Sequence, residues 1–264
     1  MKKLVGLLFA TLLFLSSCGS VPLTGRKQML LVGDQEVLSA SLTQYNDFMK
    51  ESKLSTDKEG TAKVVRVGKK IAAATEAYLK ANGMESEIKN FSWEFHLVQS
   101  SDVNAFCMPG GKIVVYDGIM PYASTDAELA AVLGHEVAHA VAKHSNERMS
   151  QQLVANYGGA ILGQAISGQS AAVQSIASTV YGLGAQYGIM LPYSRKHELE
   201  ADHMGLIFMA MAGYNPEAAI TFWTKMSQGK GGSVPEIMST HPSDSHRIAE
   251  LQKYMSDAMK YYKK

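Results

Sequence analysis

The sequence predicts an α+β fold, mainly helical, with a small and mostly antiparallel β-sheet packed beside one histidine-bearing helix. Three observations point there. Long segments repeat apolar residues with helical period, a short region near residues 91–116 carries strand patterns, and residues 125–152 hold a helix start followed by no proline. The chain of 264 residues is 46% hydrophobic and 19% charged, which suits one sizeable core rather than two large domains. Formal net charge is +1 and no basic stripe is present, so nucleic acid is not an expected partner. The fifteen methionines read as adaptable core filler.

At the N-terminus Lys2 and Lys3 precede an apolar run, Leu4 to Leu15, too short to span a membrane as a helix. Leu15-Ser16-Ser17-Cys18 follows and resembles a bacterial lipobox, which implies cleavage before Cys18 and lipid on its sulfur. Gly19, rather than aspartate, follows it, and the resemblance to enterobacterial lipoprotein sorting signals then implies the outer membrane. The expected address is the bacterial cell envelope, as a periplasm-facing lipoprotein. Cys107 is the only other cysteine, so a lipid on Cys18 leaves no intrachain disulfide. Residues 1–17 are expected to be a lipoprotein signal peptide and 18–33 a lipid-anchored tether, with one domain over 34–264.

Within that domain Val64, Val67, Ile71 and Ala74 share a face of a helix over Thr56–Ala81, ended by Asn82-Gly83. Phe91, Trp93, Phe95 and Leu97 alternate with polar residues as in a half-buried strand, and His96 falls on the polar side. Pro109-Gly110-Gly111 reads as a turn into a second strand, Lys112–Tyr116. Thr125 and Glu128 form a capping box, with Asp126 favourable at the helix N-terminus, and the helical pattern runs on to about Gln152. Residues 149–194 hold no charged side chain; they read as buried helices or a flexible lid, or alternatively as a lid or membrane-contacting surface over the site. A further helix covers SRKHELEADHMGLIFMAMAG and ends at Gly213, and Asn215-Pro216 opens another with Phe222 and Trp223.

The chemistry concentrates in Leu133–His144, LGHEVAHAVAKH. His135 and His139 are one helical turn apart, so both imidazoles point the same way and can bind one Zn²⁺. Glu136 sits beside the ion, placed to take a proton from a water that the metal acidifies. The flanks are apolar, and a buried His-Glu-x-x-His without a metal would leave costly unpaired groups. A catalytic zinc needs a third protein ligand. Spacing leaves His144, His197, Glu198, Glu200, Asp202, His203, His241 and His246 open. His144 falls off the ligand face and reads as a helix-surface residue. Glu198 and Asp202 share one helical face, suiting a ligand and a group that orients a ligand imidazole. Glu200 points away and reads as solvent-facing or salt-bridged.

HEVAH followed by SRKHELEAD resembles the gluzincin peptidases related to HtpX and the CAAX prenyl protease. VPLTGRKQ, NAFCMPGGKIVVYDGIM and the late THP are similar to its secreted lipoprotein branch, which includes LoiP and BepA; Cys107 and Met108 depart from that pattern. The resemblance implies a zincin-like zinc metallopeptidase domain over 34–264 with one zinc per chain. It implies His135, His139 and Glu198 as ligands, Glu136 as catalytic base and Asp202 behind a ligand. It implies that Asn104, Ala105 and Phe106 form an edge strand for an extended substrate. It also implies that His241 approaches the metal, closing the site or assisting catalysis, against a plain turn before Pro242. Arg247 either neutralises oxyanion charge or forms a structural ion pair. The implied activity is endoproteolysis of misfolded or misassembled envelope polypeptides, with outer-membrane assembly machinery as a possible partner. The alternative is a periplasmic chaperone or assembly factor with a closed or structural zinc; a metal-free scaffold is a third reading.

Overall fold

The computed structural model describes residues 18–171, 173–175, 177–178, 191–228, 237, 241 and 247–263. The expected signal peptide, His246 and residues 179–190 of the uncharged segment lie outside these. Strand β1 (Cys18–Ser20) pairs antiparallel with β2 (Lys27–Met29). Residues 18–33, whose composition predicts a tether, carry this hairpin and are docked on the body: Val21 is buried, and the Leu31 amide donates to Ser150 Oγ at 2.8 Å.

Helix α1 (Asp34–Glu51) and α2 (Lys58–Ala81) follow. Asp57 caps α2 by accepting from the amides of Glu59 and Gly60, and Val64, Val67 and Ile71 are fully buried along the face their spacing predicts. Gly83, at φ 73°, closes that helix before the single turn α3 (Glu85–Ile88).

The second sheet differs from a purely antiparallel one. Its strands are β3 (Glu94–Val98), β4 (Ala105–Met108) and β5 (Lys112–Tyr116), in the order β3-β5-β4. The tight turn at Gly110 and Gly111, both at positive φ, folds β4 back antiparallel on β5. β3 takes the other side of β5 and runs parallel to it. The run Lys112–Val115 is buried throughout, as expected for a central strand.

Against this sheet packs α4 (Asp126–Val141), which is buried over nearly its whole length. The Thr125–Glu128 capping box is present in both directions. The helix stops earlier than the pattern suggests: Lys143 takes a left-handed conformation (φ 55°, ψ 34°), and α5 (His144–Ala165) starts in a new direction. Lysine there costs about 1–2 kcal/mol. Its ammonium is pinned by Asp34 (2.7 Å) and Glu87 (2.9 Å), which offsets that strain. Within α5 burial stops at Gln151; Tyr157 and Ile161 are 70% and 67% exposed, so this part of the uncharged segment is not a buried helix. No helix among the described residues is long and apolar enough to cross a membrane.

Among the described residues, three further helices complete the body: α6 (Leu191–Met211), α7 (Glu217–Ser227) and α8 (Arg247–Ala258). The crossing of α4 and α6 positions the site. A Cβ on Gly134 would lie 2.8 Å from the Gly205 carbonyl oxygen, and one on Gly205 would lie 2.8 Å from the His135 amide nitrogen. Two facing glycines therefore bring the backbones closer than side chains would allow, and set the α6 carboxylates against the α4 histidines.

Candidate metal centre

His135, Glu136 and His139 lie on α4, with side chains nearly excluded from water. Glu198 and Asp202 come from α6, one turn apart. Four donor atoms converge. His135 Nε2 lies 3.1 Å from His139 Nε2, 3.2 Å from Glu198 Oε2 and 3.4 Å from His241 Nδ1. Glu198 reaches His139 Nε2 at 3.4 Å and His241 Nδ1 at 3.2 Å through its two oxygens. In a tetrahedral zinc site with Zn–N bonds near 2.0–2.1 Å, donor atoms stand about 3.3–3.4 Å apart. The spacing and the nitrogen-plus-carboxylate chemistry thus fit one small cation.

His241 occupies the fourth corner. Its Nε2 lies 3.6 Å from Glu136 Oε1, an oxygen that is buried without a hydrogen-bond partner among the described residues. His241 is anchored beside the sheet: the Ile237 amide donates to the Val103 carbonyl, and the His241 amide donates to the Ile237 carbonyl. Outer strand β4 borders a cleft of about 380 Å³ lined by Phe106, Cys107, Met108, Glu136, His139 and His241, with α1 as the opposite wall. Asn104 lies just outside the strand. Its side-chain oxygen accepts from the Ala105 amide and its carbonyl from the Tyr116 amide.

Behind the two histidines stand two different supports. His135 Nδ1 lies 2.9 Å from Asp202 Oδ1, which accepts from Arg247 Nη2 at 2.6 Å; the Arg247 guanidinium lies 3.3 Å from the Trp223 ring centroid. Arg247 is thus in a buried ion pair. His139 Nδ1 lies 2.8 Å from His144 Nδ1, and His144 Nε2 lies 3.0 Å from Glu200 Oε2. Glu200 accepts from Arg26 Nε (2.8 Å) and from the Thr24 hydroxyl. The same Arg26 forks onto both oxygens of Glu147, which also holds His197 at 2.9 Å, and His197 stacks on His144. One expectation is corrected: His144 is fully buried rather than on a helix surface, because the left-handed Lys143 turns it inward. Of the two alternatives for Glu200, solvent-facing or salt-bridged, the structure shows the salt bridge, and it is buried. The hairpin residues Thr24 and Arg26, and Glu147, had no spacing signal, whereas His197, one of the open candidates for third ligand, is placed on Glu147 and against His144 instead. Charged residues in a run of otherwise buried helix were the available hint.

Electrostatics distinguishes these groups. Burial raises the Glu198 carboxyl, but His139, His135 and His241 outweigh it and hold it far below the usual range. Burial drives His139 and His144 well below the ordinary imidazole value. Burial also lowers His135, but Asp202 and Glu198 overcome it and push it up to about 9. Glu147 is brought down to about 2, burial notwithstanding, by His197 and Arg26. Ionised Glu198 and neutral His139 are the forms that bind a cation. Burial pushes the Cys107 thiol up, so it is not an activated thiolate.

The model of peptidase family M48 matches residues 61–255. Similar proteins include mitochondrial metalloendopeptidase OMA1 of Schizosaccharomyces pombe, 34% identical over 85% of this chain, and human metalloendopeptidase OMA1, 30% identical over 97%. The beta-barrel assembly-enhancing protease of Escherichia coli is 29% identical over 66% of the chain. The chain spans 60%, 49% and 38% of the lengths of these three relatives. The chain belongs to peptidase family M48. One expectation is overturned here. The address of a periplasm-facing bacterial lipoprotein, in the outer membrane, is at odds with relatives that match most of the chain and are named mitochondrial. The address rested on the short run Leu15-Ser16-Ser17-Cys18 and on Gly19, which lie outside the residues that the family model matches.

Proposed function

We propose that this M48 peptidase is a zinc-dependent endopeptidase that hydrolyses peptide bonds of misfolded or misassembled polypeptides, with Glu136 as general base. The observation that carries this reading is the convergence of donor atoms from His135, His139 and Glu198 at 3.1–3.4 Å beside an open cleft. These three residues would hold one zinc per chain. A bound ion supplies Lewis-acid polarisation of the scissile carbonyl and acidifies the attacking water. Glu136, adjacent to His135 and lining the cleft, would take that water's proton and deliver it to the leaving amine. No covalent acyl-enzyme is needed. Asp202 fixes the proton of His135 on Nδ1, which leaves Nε2 open as a donor. The outer edge of β4 offers backbone pairing to an extended substrate, so the substrate must be locally unfolded. The E. coli relative's name, referring to β-barrel assembly, supports misassembled membrane proteins as a substrate class.

The position of His241 favours a second reading, a chaperone or assembly factor with a closed four-donor site. Cleavage of casein by the wild type and by Glu136→Gln, with zinc content measured on both, separates the readings. Under the first, both proteins carry about one zinc and only the wild type cleaves. Cleavage by Glu136→Gln at the wild-type rate would sink the mechanism. Zinc in both with cleavage in neither would favour the closed site, and His241→Ala would then be expected to release activity.

A further inference from the structure

We infer that Arg26, Glu200 and His144 are positioning residues for His139, so that the N-terminal hairpin is a working part of the metal centre. The inference rests on the metal-site reading above and extends it to a part of the chain far from the motif in sequence.

The donor and acceptor rules fix the direction of every bond along the chain. A guanidinium can only donate, so Arg26 Nε donates to Glu200 Oε2, and the Thr24 hydroxyl donates to Oε1. A carboxylate can only accept, so the proton between Glu200 and His144 sits on His144 Nε2, 3.0 Å away. Neutral His144 then has its lone pair at Nδ1. That nitrogen lies 2.8 Å from His139 Nδ1, so His139 Nδ1 must carry the proton. The lone pair of His139 is thereby left on Nε2, which faces Glu198 and His135. A carboxylate backing a ligand imidazole is the usual way to fix its tautomer. Here one extra imidazole is interposed, and the carboxylate is held from the hairpin.

The geometry of His144 is also over-determined. Its ring stacks on His197 with centroids 4.2 Å apart and planes 14° from parallel. His197 is bound to Glu147, and Glu147 takes the other two nitrogens of Arg26. One guanidinium therefore anchors both the hydrogen-bonding partner of His144 and the partner of the ring it stacks on. The side chains of His144, His197, Glu147 and Glu200 are all buried, so rearrangement would strand charge away from water.

The test uses the full chain. Imidazole ¹⁵N NMR of the zinc-loaded wild type reads tautomers directly; His144 is expected as Nε2–H, and His144 as Nδ1–H overturns the inference, since Nδ1 could not then accept. This arm needs no substitution and survives any folding defect in a variant. A second arm measures zinc affinity by chelator competition for wild type, His144→Leu and His144→Gln. His144→Leu is expected to bind zinc about 10–100-fold more weakly. Glutamine keeps an acceptor for His139 and a donor for Glu200, so His144→Gln should recover to within about threefold of the wild type. Equal affinity in all three, or an equal loss in both variants, overturns the inference while leaving the metal site intact. Wild-type protein that takes up no zinc in the same titration refutes the site itself, and the inference with it.

Discussion

His135 and His139 sit one turn apart on one helix, yet their far nitrogens meet different surroundings. His135 backs directly onto Asp202, whose charge is answered by Arg247 on α8. His139 backs onto another imidazole, and its carboxylate, Glu200, is answered by Arg26 from the N-terminal hairpin. Direct contact with a carboxylate favours an extra proton on His135, whereas burial behind a second imidazole keeps His139 neutral. The same donor type in the same helix is therefore tuned by which α6 carboxylate reaches it. Glu198 faces the donor cluster, while Glu200 and Asp202 serve the two supports.

Both supports depend on the α4–α6 crossing, so the largest effect is expected where that crossing is tightest. Gly205→Val would drive a branched side chain into backbone atoms of Gly134 and His135, and overpacking of this kind costs about 3 kcal/mol. Urea unfolding should show that loss, and zinc affinity should fall with it because all three α6 carboxylates move together. Wild-type stability in this variant would mean the helices can slide without disturbing either support.

The next test separates the supports. Asp202→Asn removes the charge beside His135, and zinc affinity is expected to fall about 10–100-fold. Glu200→Gln should cost less, because an amide oxygen can still accept from His144 Nε2 while Arg26 keeps Glu147. Chelator competition on the two variants measures the difference. Equal losses would show that the interposed imidazole transmits as much as direct contact does.

Sequence spacing carried the direct support and missed the relayed one, for a physical reason. His135, His139, Glu198 and Asp202 obey the helical four-residue rule, which is local and visible in one dimension. His144 also looked legible, and misled: a helix continued past Val141 would have pointed it outward, but Lys143 is left-handed, and lysine gives no notice of that conformation. The contacts of Arg26 with Glu147 and Glu200 join residues far apart in the chain, and no periodicity encodes such pairings. The sheet divides in the same way. Strands β3 and β5 followed from alternation and a glycine turn, β4 only from the family resemblance, and the parallel pairing of β3 with β5 depends on which edge a strand returns to. Gly134 and Gly205 lie inside helices, where pattern reading sees only weak helix formers.

Acidity offers a subtler contrast between the supports in the metal-free protein. The folded-state pKa of His135 is raised from 6.5 to about 9, so its contribution to stability is complete below 6.5 and is lost as pH rises through about 9. His139 and His144 are lowered, so below 6.5 the unfolded chain binds protons that the fold refuses, and stability falls as pH drops. Stability of the zinc-free protein, followed by urea unfolding from pH 5 to 10, is expected to peak near about 6.5. Asp202→Asn should flatten the alkaline limb and spare the acid one. A profile whose alkaline limb is unchanged in that variant would mean Asp202 does not hold the proton on His135.

The smallest effect is expected from an arginine–aspartate pair that resembles the supports only on paper. Arg66 on α2 forks onto Asp126 in the first turn of α4, with N–O distances of 3.0 and 2.8 Å, as short as those of Arg26. The difference is solvent. The Arg66 and Asp126 side chains are 51% and 37% exposed, against 14% for Arg26 and 2% and 6% for its two carboxylates. Water and salt screen the exposed pair, and Asp126 keeps its favourable place at the helix N-terminus without a partner. Arg66→Ala should therefore leave thermal unfolding within replicate scatter and zinc affinity at the wild-type value. A clear loss of zinc affinity would show that α4 transmits strain from its first turn to His135, and the centre would then owe its geometry to the whole helix rather than to two buried supports.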